Sequence, residues 1–335
     1  MPKISIIIPT YNRAKFIKET IGSVLTQTVE DLEIIVVDDG SIDETQKIIE
    51  KLIIKDNRIK YFYQNNCGKP SIPRNLGFKN STGEYIAFLD SDDVWFPKKL
   101  EKQIELFEKD KSGKLGFVDC GYVIIDENGS EIKQNYSFHV YRGEVFREFL
   151  KDHTIVTPGS ILIKRNVLNK VGIFDERFKC MDDWDMWLRI SKYYNFDFTD
   201  EKLFKYRVHK NSITVRVSHI EKMQDVIYIF EKNKKDYYLY HPQKFKESGV
   251  FHCCVGDMIT GRKFLKEAIK LTPKDYKIYF HYILSLFGKN FYKFSFLIIS
   301  PVFKARNRIL KDKFNVKYPY NFRQKIFMDI LNIEI

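Results

Sequence analysis

Two hydrophobic patterns alternate along the first part of the chain. Ile4–Ile8 and Leu32–Val37 are almost continuous apolar runs, which end at Pro9 and Asp38. Runs of this kind are typical of strands that are buried on both faces of a parallel sheet. The segment between them carries apolar side chains at helical spacing: Phe16, Ile17, Ile21, Val24 and Leu25. With Asn12 as its N-cap, this segment predicts a helix and completes a strand–helix–strand unit.

The same alternation continues as far as a fourth predicted strand. It consists of a helix at Asp43–Lys55, a strand at Ile59–Tyr63, a helix at Pro73–Asn80 and a strand at Tyr85–Leu89. Alternating strands and helices predict a mostly parallel sheet with helices on both faces. In such α/β folds, ligands bind at the carboxyl ends of the strands.

The rest of the chain predicts further strands and then a helical region. After a helix that begins at Pro97, we expect strands at Gly116–Ile125 and Ser160–Ile163, a hairpin turn at Asp126–Gly129 and a helix at Asp183–Tyr193. From about Val217 the sequence becomes basic, aromatic and helical in pattern, with an amphipathic helix at Lys263–Leu271. We therefore expect two domains: residues 1–216, with parts 1–110 and 111–216, and a helical extension at 217–335.

Charge divides the chain in the same way. The chain has 56 Lys and Arg against 44 Asp and Glu, and residues 202–335 hold 27 of the former and 11 of the latter. Such a basic region predicts contact with an anionic surface, which is a membrane, a phosphate-bearing partner or nucleic acid. Lysine-rich solubility explains the same charge equally well. The basic residues form no recognised nucleic-acid module, so nucleic acid is the weakest of these partners.

Cysteine usage and hydrophobic runs indicate the compartment. The five cysteines are odd in number and show no Cys-x-x-Cys spacing, which predicts neither a disulfide framework nor a zinc site. Residues 1–10 carry too short an apolar run for a signal peptide. The nearest candidate for a membrane span, 291–303, is short and contains Lys293 and Pro301. We therefore expect a cytoplasmic protein, either free or peripheral at the inner face of the cell membrane.

Three carboxylates follow the fourth predicted strand. Asp90, Asp92 and Asp93 lie directly after Tyr85–Leu89. Unpaired carboxylates this close repel one another, and a divalent cation that prefers oxygen ligands removes the conflict. The segment therefore predicts a Mg²⁺ or Mn²⁺ site in which the cation also binds phosphate oxygens. An acidic turn that caps the helix near Pro97 is the alternative.

Four segments together resemble family-2 glycosyltransferases in residue type, order and spacing. They are Ser5–Arg13, Val36–Thr45, Pro73–Gly77 and Gly83–Asp93. The resemblance covers roughly residues 3–215, and it is specific because several independent segments match in order. It implies a GT-A fold, in which a mostly parallel nucleotide-binding sheet flanked by helices is fused to an acceptor-binding part. The fold class expected is α/β with an α-helical C-terminal extension.

The resemblance assigns nucleotide-sugar binding to several polar residues. Asp39 takes the contact to the base, which for uracil is the imide N–H. Arg74 stacks on the base or neutralises a phosphate, and Asn75 lies next to it beside the same crevice. The wall of the base pocket is formed by Pro9, Thr10 and Tyr11. Two alternatives remain open: Asp39 belongs to a turn that caps the next helix, and Arg74 and Asn75 are ordinary surface residues.

The resemblance also implies which carboxylate holds the metal. Asp92 takes the metal role, and Asp90 or Ser91 contacts the ribose. Asp93 becomes an outer partner of the site or a helix cap. The cofactor is then Mn²⁺ or Mg²⁺, which neutralises the diphosphate as it leaves.

A later segment, Tyr206–His209, resembles the part of the family that closes over the filled site. The match implies that Arg207 and His209 face the diphosphate or the metal, with His209 as a second metal ligand. An isolated histidine is more often an ordinary surface or core residue, and that alternative stays open.

Cys180–Arg189 resembles the catalytic segment of the family, with Asp182 where the family usually has Glu. The second acidic residue, Asp183, is then the general base, and Asp182 is its catalytic neighbour. The base removes a proton from the acceptor hydroxyl while the oxygen attacks the anomeric carbon opposite the nucleotide, which inverts the configuration. The alternative is that both residues only cap their helix. The preceding match, Gly172–Glu176, lies on the acceptor side, and its Asp175 is expected to be structural.

The sequence thus predicts an inverting, metal-dependent glycosyltransferase. The donor expected is a UDP-sugar, and the acceptor is a glycan or a lipid-linked molecule of polysaccharide or cell-envelope assembly. A nucleotidyltransferase is the alternative enzyme, although Pro9–Asn12 stands where that class usually has a glycine-rich loop. A non-catalytic nucleotide-sugar binding protein is the other alternative. Asp183 separates the glycosyltransferase from the non-catalytic binding protein, because a site without catalytic activity does not require a carboxylate there.

Overall fold

A computed structural model describes residues 2–292, except 133–140, 152–154, 156, 211, 213–215 and 242. The chain divides into two compact units, Met1–Asp225 and Val226–Ile335. The domain boundary predicted after residue 216 lies shortly before this division. Most of the segment 291–303, the nearest candidate for a membrane span, lies outside the described residues, as does the part of the predicted extension beyond residue 292.

The first unit is built on one mixed sheet of eight strands in the order β3-β2-β1-β4-β7-β6-β8-β5. The strands are β1 (Ile4–Thr10), β2 (Leu32–Asp38), β3 (Ile59–Tyr63), β4 (Tyr85–Phe88), β5 (Val94–Trp95), β6 (Leu115–Ile125), β7 (Leu162–Lys164) and β8 (Asn195–Arg207). The helices are α1 (Ile17–Leu25), α2 (Thr45–Ile53), α3 (Ser71–Lys79), α4 (Lys99–Lys109), α5 (Phe146–Lys151), α6 (Arg165–Val171) and α7 (Asp182–Ser191). A short 3₁₀ turn, Pro158–Ser160, precedes β7.

The four strands predicted first form one parallel part of the sheet, and β6 and β8 form another. β1 pairs with β2 and with β4, and β2 pairs with β3, all in parallel. Every residue of β1 and β2 is buried, as their continuous apolar runs require. β7 is antiparallel to both β4 and β6, which makes the sheet mixed. The predicted α/β fold class is confirmed.

The predicted start of the first helix is wrong. α1 begins at Ile17, with Phe16 at the N-cap position, so Asn12 does not cap it. Asn12 instead has a left-handed backbone, with φ of 51°, and its Oδ1 accepts a hydrogen bond from the Ile42 N–H at 2.9 Å. Its side chain is therefore used to join the loop after β1 to the loop after β2.

The described part of the second unit is helical. Its elements are the end of α8 (His219–Lys232), α9 (Lys234–Tyr240), α10 (Gln243–Val255), α11 (Met258–Leu271) and α12 (Tyr276–Leu286). Phe230, Phe245 and Phe264 form its aromatic centre, with ring centroids 4.9 and 5.2 Å from Phe230. A Cβ at Gly261 would collide with Cys253, so the glycine allows α10 and α11 to pack closely. Among the described helices, none is long and apolar enough to cross a membrane.

Candidate active site

The candidate site lies at the carboxyl edge of the parallel strands. The sheet register pairs Thr10, the last residue of β1, with Asp38, the last residue of β2. The amide of the next residue, Asp39, donates to the Thr10 carbonyl at 2.8 Å. The acidic segment after β4 reaches the same edge, because β4 is the other neighbour of β1. Parallel pairing alone therefore brings together residues that are far apart in sequence.

Asp38 and Asp39 have different surroundings although both are buried. Asp38 accepts bonds from the Ser41 N–H at 2.8 Å and the Tyr61 hydroxyl at 3.0 Å, so it supports the turn and the third strand. Asp39 Oδ1 accepts from the Gln64 side chain at 2.6 Å and from the Cys67 N–H at 3.1 Å. Among the described residues, Asp39 Oδ2 receives a single longer bond of 3.2 Å, from the Cys67 N–H. A carboxylate oxygen accepts two bonds, so this oxygen retains capacity for a ligand N–H.

The loop after β3 is part of this pocket, and sequence reasoning missed it. Besides Gln64 and Cys67, it supplies Asn66, whose side-chain amide donates to the Asp39 carbonyl at 2.9 Å. Contacts from three residues of one loop fix the orientation of Asp39. The signal available in the sequence was only a run of polar residues after a predicted strand.

Asp92 and His209 form the centre of the acidic segment. His209 Nε2 lies 2.8 Å from Asp92 Oδ2, although the residues are far apart in sequence. Arg13 Nε donates to the same oxygen at 3.2 Å. Burial raises the pKa of Asp92, but the hydrogen bond with His209 and the positive charge of Arg13 lower it more, and the net pKa lies below the usual value. Asp92 is therefore a charged, nearly buried carboxylate.

Asp93 has the opposite electrostatic character. Burial and the neighbouring charges of Asp92 and Asp90 raise its pKa well above the usual value. Its Oδ1 accepts the Arg207 N–H at 2.8 Å, which ties the acidic segment to the end of β8. Within the described residues, its buried Oδ2 has no hydrogen-bond partner, and the same holds for the hydroxyl of Thr10. Ser91 is buried in the same segment.

Arg207 connects the acidic segment to α1. Its Nε donates to the Asp92 carbonyl at 2.7 Å, and its guanidinium pairs with Glu19 at 2.7 Å. The guanidinium also lies over the ring of Phe16, 5.0 Å from the centroid, and the His209 ring contacts that phenyl at 5.1 Å. Arg207 is thus engaged in holding the shape of the site, while His209 is held against Asp92.

Arg74 joins the acidic segment to the start of α7. It is buried, and its guanidinium pairs with Asp90 Oδ1 at 2.7 Å and with Asp182 Oδ2 at 3.2 Å. Burial raises the pKa of Asp182 to about 6, even though Arg74 opposes this shift. The Thr157 hydroxyl donates to the other oxygen of Asp90 at 3.3 Å. Arg74 therefore neutralises two carboxylates of the protein itself.

Asn75 faces the predicted acceptor-side segment. Its amide nitrogen donates to the Phe174 carbonyl at 2.9 Å and to Glu176 Oε1 at 2.8 Å. Its amide oxygen accepts the Phe174 N–H at 3.2 Å. The assignment of Asn75 to the donor stays a prediction, but these contacts describe a side chain that positions a neighbouring loop. Asp175, in that loop, pairs with Arg177 at 2.7 Å.

Asp183 lies in the first turn of α7 and is buried. Its Oδ1 accepts the N–H of Trp184 at 2.8 Å. The turn before the helix is held by Asp225, whose carboxylate accepts the N–H groups of Lys179, Cys180 and Met181 at 2.8–3.1 Å. Sequence reasoning missed Asp225, which lies in a later helix and carries no local motif.

The chemistry of the Asp92–His209 pair fits a divalent cation. The described residues contain no group of three His, Cys, Asp or Glu side chains arranged to hold a metal. Octahedral ligands at about 2.1 Å from a cation lie roughly 3 Å from one another, close to the 2.8 Å between Asp92 Oδ2 and His209 Nε2. One carboxylate and one imidazole are a donor set that Mn²⁺ accepts, with phosphate oxygens as further ligands. Arg13 is the cation that binds the same carboxylate in this structure.

Comparison with known proteins agrees with the fold. Residues 5–172 match the family model described as glycosyl transferase family 2. The chain is 35% identical over 231 residues to an uncharacterized glycosyltransferase of Rickettsia prowazekii, covering 67% of this chain and 70% of that protein. It is 37% identical over 218 residues to one of Rickettsia typhi, covering 64% and 66%. The chain thus spans about two thirds of the length of these relatives.

Two solved structures share the fold. S. aureus TarS in complex with UDP-GlcNAc has a TM-score of 0.57 at 18% identity, covering 81% of this chain and 83% of that chain. The mannosyltransferase PcManGT from Pyrobaculum calidifontis, in complex with GDP-Man and Mn²⁺, has a TM-score of 0.55 at 20% identity, covering 81% and 74%. The fold and sequence define a glycosyltransferase, and the chain belongs to glycosyl transferase family 2. Membership of this family favours a glycosyltransferase over the nucleotidyltransferase and the non-catalytic alternatives.

Proposed function

We propose that the protein transfers a sugar from a nucleotide donor, a UDP-sugar, to a hydroxyl of a glycan or lipid-linked acceptor. The transfer inverts the anomeric configuration and uses Mn²⁺ or Mg²⁺ at Asp92 and His209. Polysaccharide or cell-envelope assembly at the cytoplasmic face of the membrane is the setting that we propose. The basic character of residues 202–335, with 27 Lys and Arg against 11 Asp and Glu, supports contact with an anionic membrane there.

The observation that carries this proposal is the Arg74 bridge. Arg74 joins Asp90, on the donor side, to Asp182, at the start of α7, with contacts of 2.7 and 3.2 Å. The candidate base Asp183 is the next residue, so the bridge supports one site that contains both the donor carboxylates and the base. A helix-capping role for Asp182 alone does not require a buried guanidinium shared with another carboxylate.

The donor end of the site supports binding of a uracil base. The imide N–H of uracil is a donor, and Asp39 Oδ2 has acceptor capacity beside its bond of 3.2 Å from the Cys67 N–H. Tyr11 is half-buried in the adjacent loop after β1 and offers a ring to the base. The structural neighbour TarS binds UDP-GlcNAc, whereas PcManGT binds GDP-Man, so both nucleotides belong in the test.

The reaction is one displacement at the anomeric carbon. The acceptor oxygen forms a bond to that carbon while the bond to the diphosphate oxygen breaks, and the nucleoside diphosphate leaves with the electron pair. Asp183 accepts the hydroxyl proton and later releases it to water. Asp92 and His209 hold the divalent cation, which when bound neutralises negative charge on the diphosphate. Arg74 keeps the carboxylates Asp90 and Asp182 paired beside Asp183, the proposed proton acceptor.

The test uses slow hydrolysis of the donor, which requires no acceptor. A panel of UDP- and GDP-sugars is incubated with the protein and Mn²⁺, and the anomeric configuration of the released sugar is followed by NMR. Inverted product with one UDP-sugar is expected. Asp183→Asn should lower the rate at least about a hundredfold, as loss of a general base does, while donor affinity changes by less than about threefold. Asp175→Asn is the matched control and should keep the wild-type rate.

Two results would contradict the proposal. Product with retained configuration would exclude the single displacement. Full activity of Asp183→Asn would show that another group accepts the proton. If only GDP-sugars release product, the proposed uracil nucleotide is wrong and the proposed mechanism is unaffected.

A further inference from the structure

The helix α12 has an unusual outward face. Its exposed positions are apolar or aromatic and follow helical spacing: Tyr276, Tyr279, Ile283, Leu286 and the adjoining Phe287. Ile283, Leu286 and Phe287 are 53%, 55% and 64% exposed. Ile278 and Leu284, which lie on another side of the helix, are buried. A surface helix normally presents polar residues to water, so this continuous apolar stripe marks an interaction surface.

Cations border the stripe on the neighbouring helix α11. A groove of about 310 Å³ is lined by Ile259, Arg262, Lys263, Lys266, Tyr282 and Leu286. Ile259 is 79% exposed and extends the apolar surface. Lys266 Nζ lies 5.8 Å from the centre of the Tyr282 ring, and Arg262 donates to the Ser285 carbonyl at 3.3 Å. The cations are therefore held beside the apolar stripe.

The charge of this helical hairpin is strongly positive. Residues 258–289 contain seven Lys and Arg against two Asp and Glu. Both acidic residues have partners away from the stripe: Glu267 bonds to Tyr238 and Lys270, and Asp275 pairs with Lys246 at 2.7 Å. The acidic groups of the hairpin therefore do little to neutralise the groove.

We propose that this face docks on an anionic phospholipid bilayer. The docking face consists of the α12 stripe (Tyr276, Tyr279, Ile283, Leu286 and Phe287), together with Ile259, Arg262, Lys263 and Lys266. Apolar side chains enter the headgroup region, and the cations pair with lipid phosphates, as in amphipathic helices that lie in the plane of the membrane. Tyrosine suits the boundary, because its ring is apolar and its hydroxyl is polar.

Charge distinguishes this partner from a second copy of the chain. An isologous dimer through the docking face would bring the cations of both copies together, and like charges at an interface oppose association. An anionic bilayer supplies the complementary charge. The inference specifies the surface for the membrane contact in the proposed function, and it does not depend on the identity of the donor or the base.

The test is flotation of the full-length protein with vesicles of phosphatidylcholine, alone or mixed with phosphatidylglycerol. The wild type should bind the mixed vesicles at least about tenfold more tightly, because each lysine or arginine near an anionic surface strengthens binding. Ile283→Asp/Leu286→Asp should lose binding by about tenfold or more, because charged groups replace apolar ones in the interface. Lys263→Glu/Lys266→Glu should lose the preference for phosphatidylglycerol.

Matched controls separate docking from folding and from donor chemistry. Ile54→Asp changes another exposed isoleucine, 86% exposed in the first unit, and should float like the wild type. Circular dichroism and UDP binding are recorded on each variant and should match the wild type. A protein that floats but binds no UDP contradicts the proposed donor alone, and the docking inference then stands.

Three outcomes would overturn the docking inference. One is equal binding to both vesicle types, and another is wild-type flotation of the Ile283/Leu286 variant. The third is a dimer, measured by light scattering, that the same variant abolishes, since the docking face would then be an interface between copies.

Discussion

Lys99 is a buried amine whose protonation should control part of the stability of the first unit. It is fully buried in α4, its Nζ donates to Gln103 Oε1 at 2.8 Å, and it lies 4.1 Å from the centre of the Trp95 ring. Burial lowers its pKa from 10.5 to about 8. A difference of this size between the folded and unfolded chains corresponds to roughly 3 kcal/mol at neutral pH.

The sign of the pH dependence follows from these two pKa values. Between about pH 8 and pH 10.5, the unfolded chain binds more protons at Lys99 than the folded chain, so the free energy of unfolding rises with pH. Below about pH 8 both states are protonated, and the buried charge destabilises the fold to its full extent. Above the unfolded pKa both states are neutral, and this destabilisation is absent.

The perturbation is Lys99→Met, which keeps an unbranched side chain and removes the charge. The difference in unfolding free energy between the variant and the wild type should fall by about 2 kcal/mol between about pH 7 and pH 10. The variant also loses the bond to Gln103, worth about 1 kcal/mol at any pH, so the change with pH is the informative quantity.

The assay is urea unfolding followed by tryptophan fluorescence. All three tryptophans of the chain, Trp95, Trp184 and Trp187, lie in the first unit, so the signal reports that unit alone. Lys98→Met changes the neighbouring exposed lysine and is the control for the loss of one positive charge. Parallel pH curves for Lys99→Met and the wild type would refute the reasoning, because the buried amine would then titrate as it does in water.

Three further predictions concern the site. Arg13→Gln removes the positive charge that binds Asp92 Oδ2, so the variant should bind Mn²⁺ about fivefold more tightly in the absence of nucleotide. Electron paramagnetic resonance measures this affinity, and weaker binding would mean that Arg13 supports the metal. Asp225→Ala leaves the three loop N–H groups that it accepts without a partner, so the variant should lose about 2 kcal/mol of stability in urea unfolding. In steady-state kinetics its kcat should fall by a larger factor than its donor affinity, and an unchanged kcat would contradict this prediction. Asn75→Ala should cost about 2 kcal/mol of stability yet alter calorimetric donor affinity by less than about twofold; weaker donor binding at unchanged stability would indicate direct contact.

The central sheet could be predicted because its signal is local. β1 and β2 are buried on both faces, so their residues are continuous apolar runs that few other structures produce. Parallel pairing then requires that the residues after β1, β2 and β4 meet at one edge. The fold class and the grouping of the acidic segment with Asp39 followed from this logic.

The start of the first helix could not be predicted in the same way. Asparagine favours both N-caps and left-handed turns, and the sequence does not say which partner its side chain meets. In the structure, the partner of Asn12 is the amide of Ile42 in the next loop. This tertiary contact therefore determines that Asn12 adopts a left-handed turn and does not act as an N-cap.

The contacts within the site could not be predicted from local sequence patterns either. The contact of Arg74 with a base or a phosphate stays a prediction, whereas its pairing with Asp90 and Asp182, which come from distant segments, had no local signal. Asp225 supports α7 from a later helix and has no motif. Such residues are recognised only when the fold brings their hydrogen-bond partners together.

The most direct test of the proposed donor site is calorimetric titration of UDP into the full-length protein, with Mn²⁺ and then with EDTA. The wild type should bind UDP in Mn²⁺ and lose most of that affinity in EDTA, and Asp92→Ala should bind weakly in both. Asp56→Ala, which alters a carboxylate paired with Arg58 at 2.8 Å, is the control and should match the wild type. UDP binding that is equally tight in EDTA, or unaffected by Asp92→Ala, would contradict a metal-assisted donor site at Asp92 and His209.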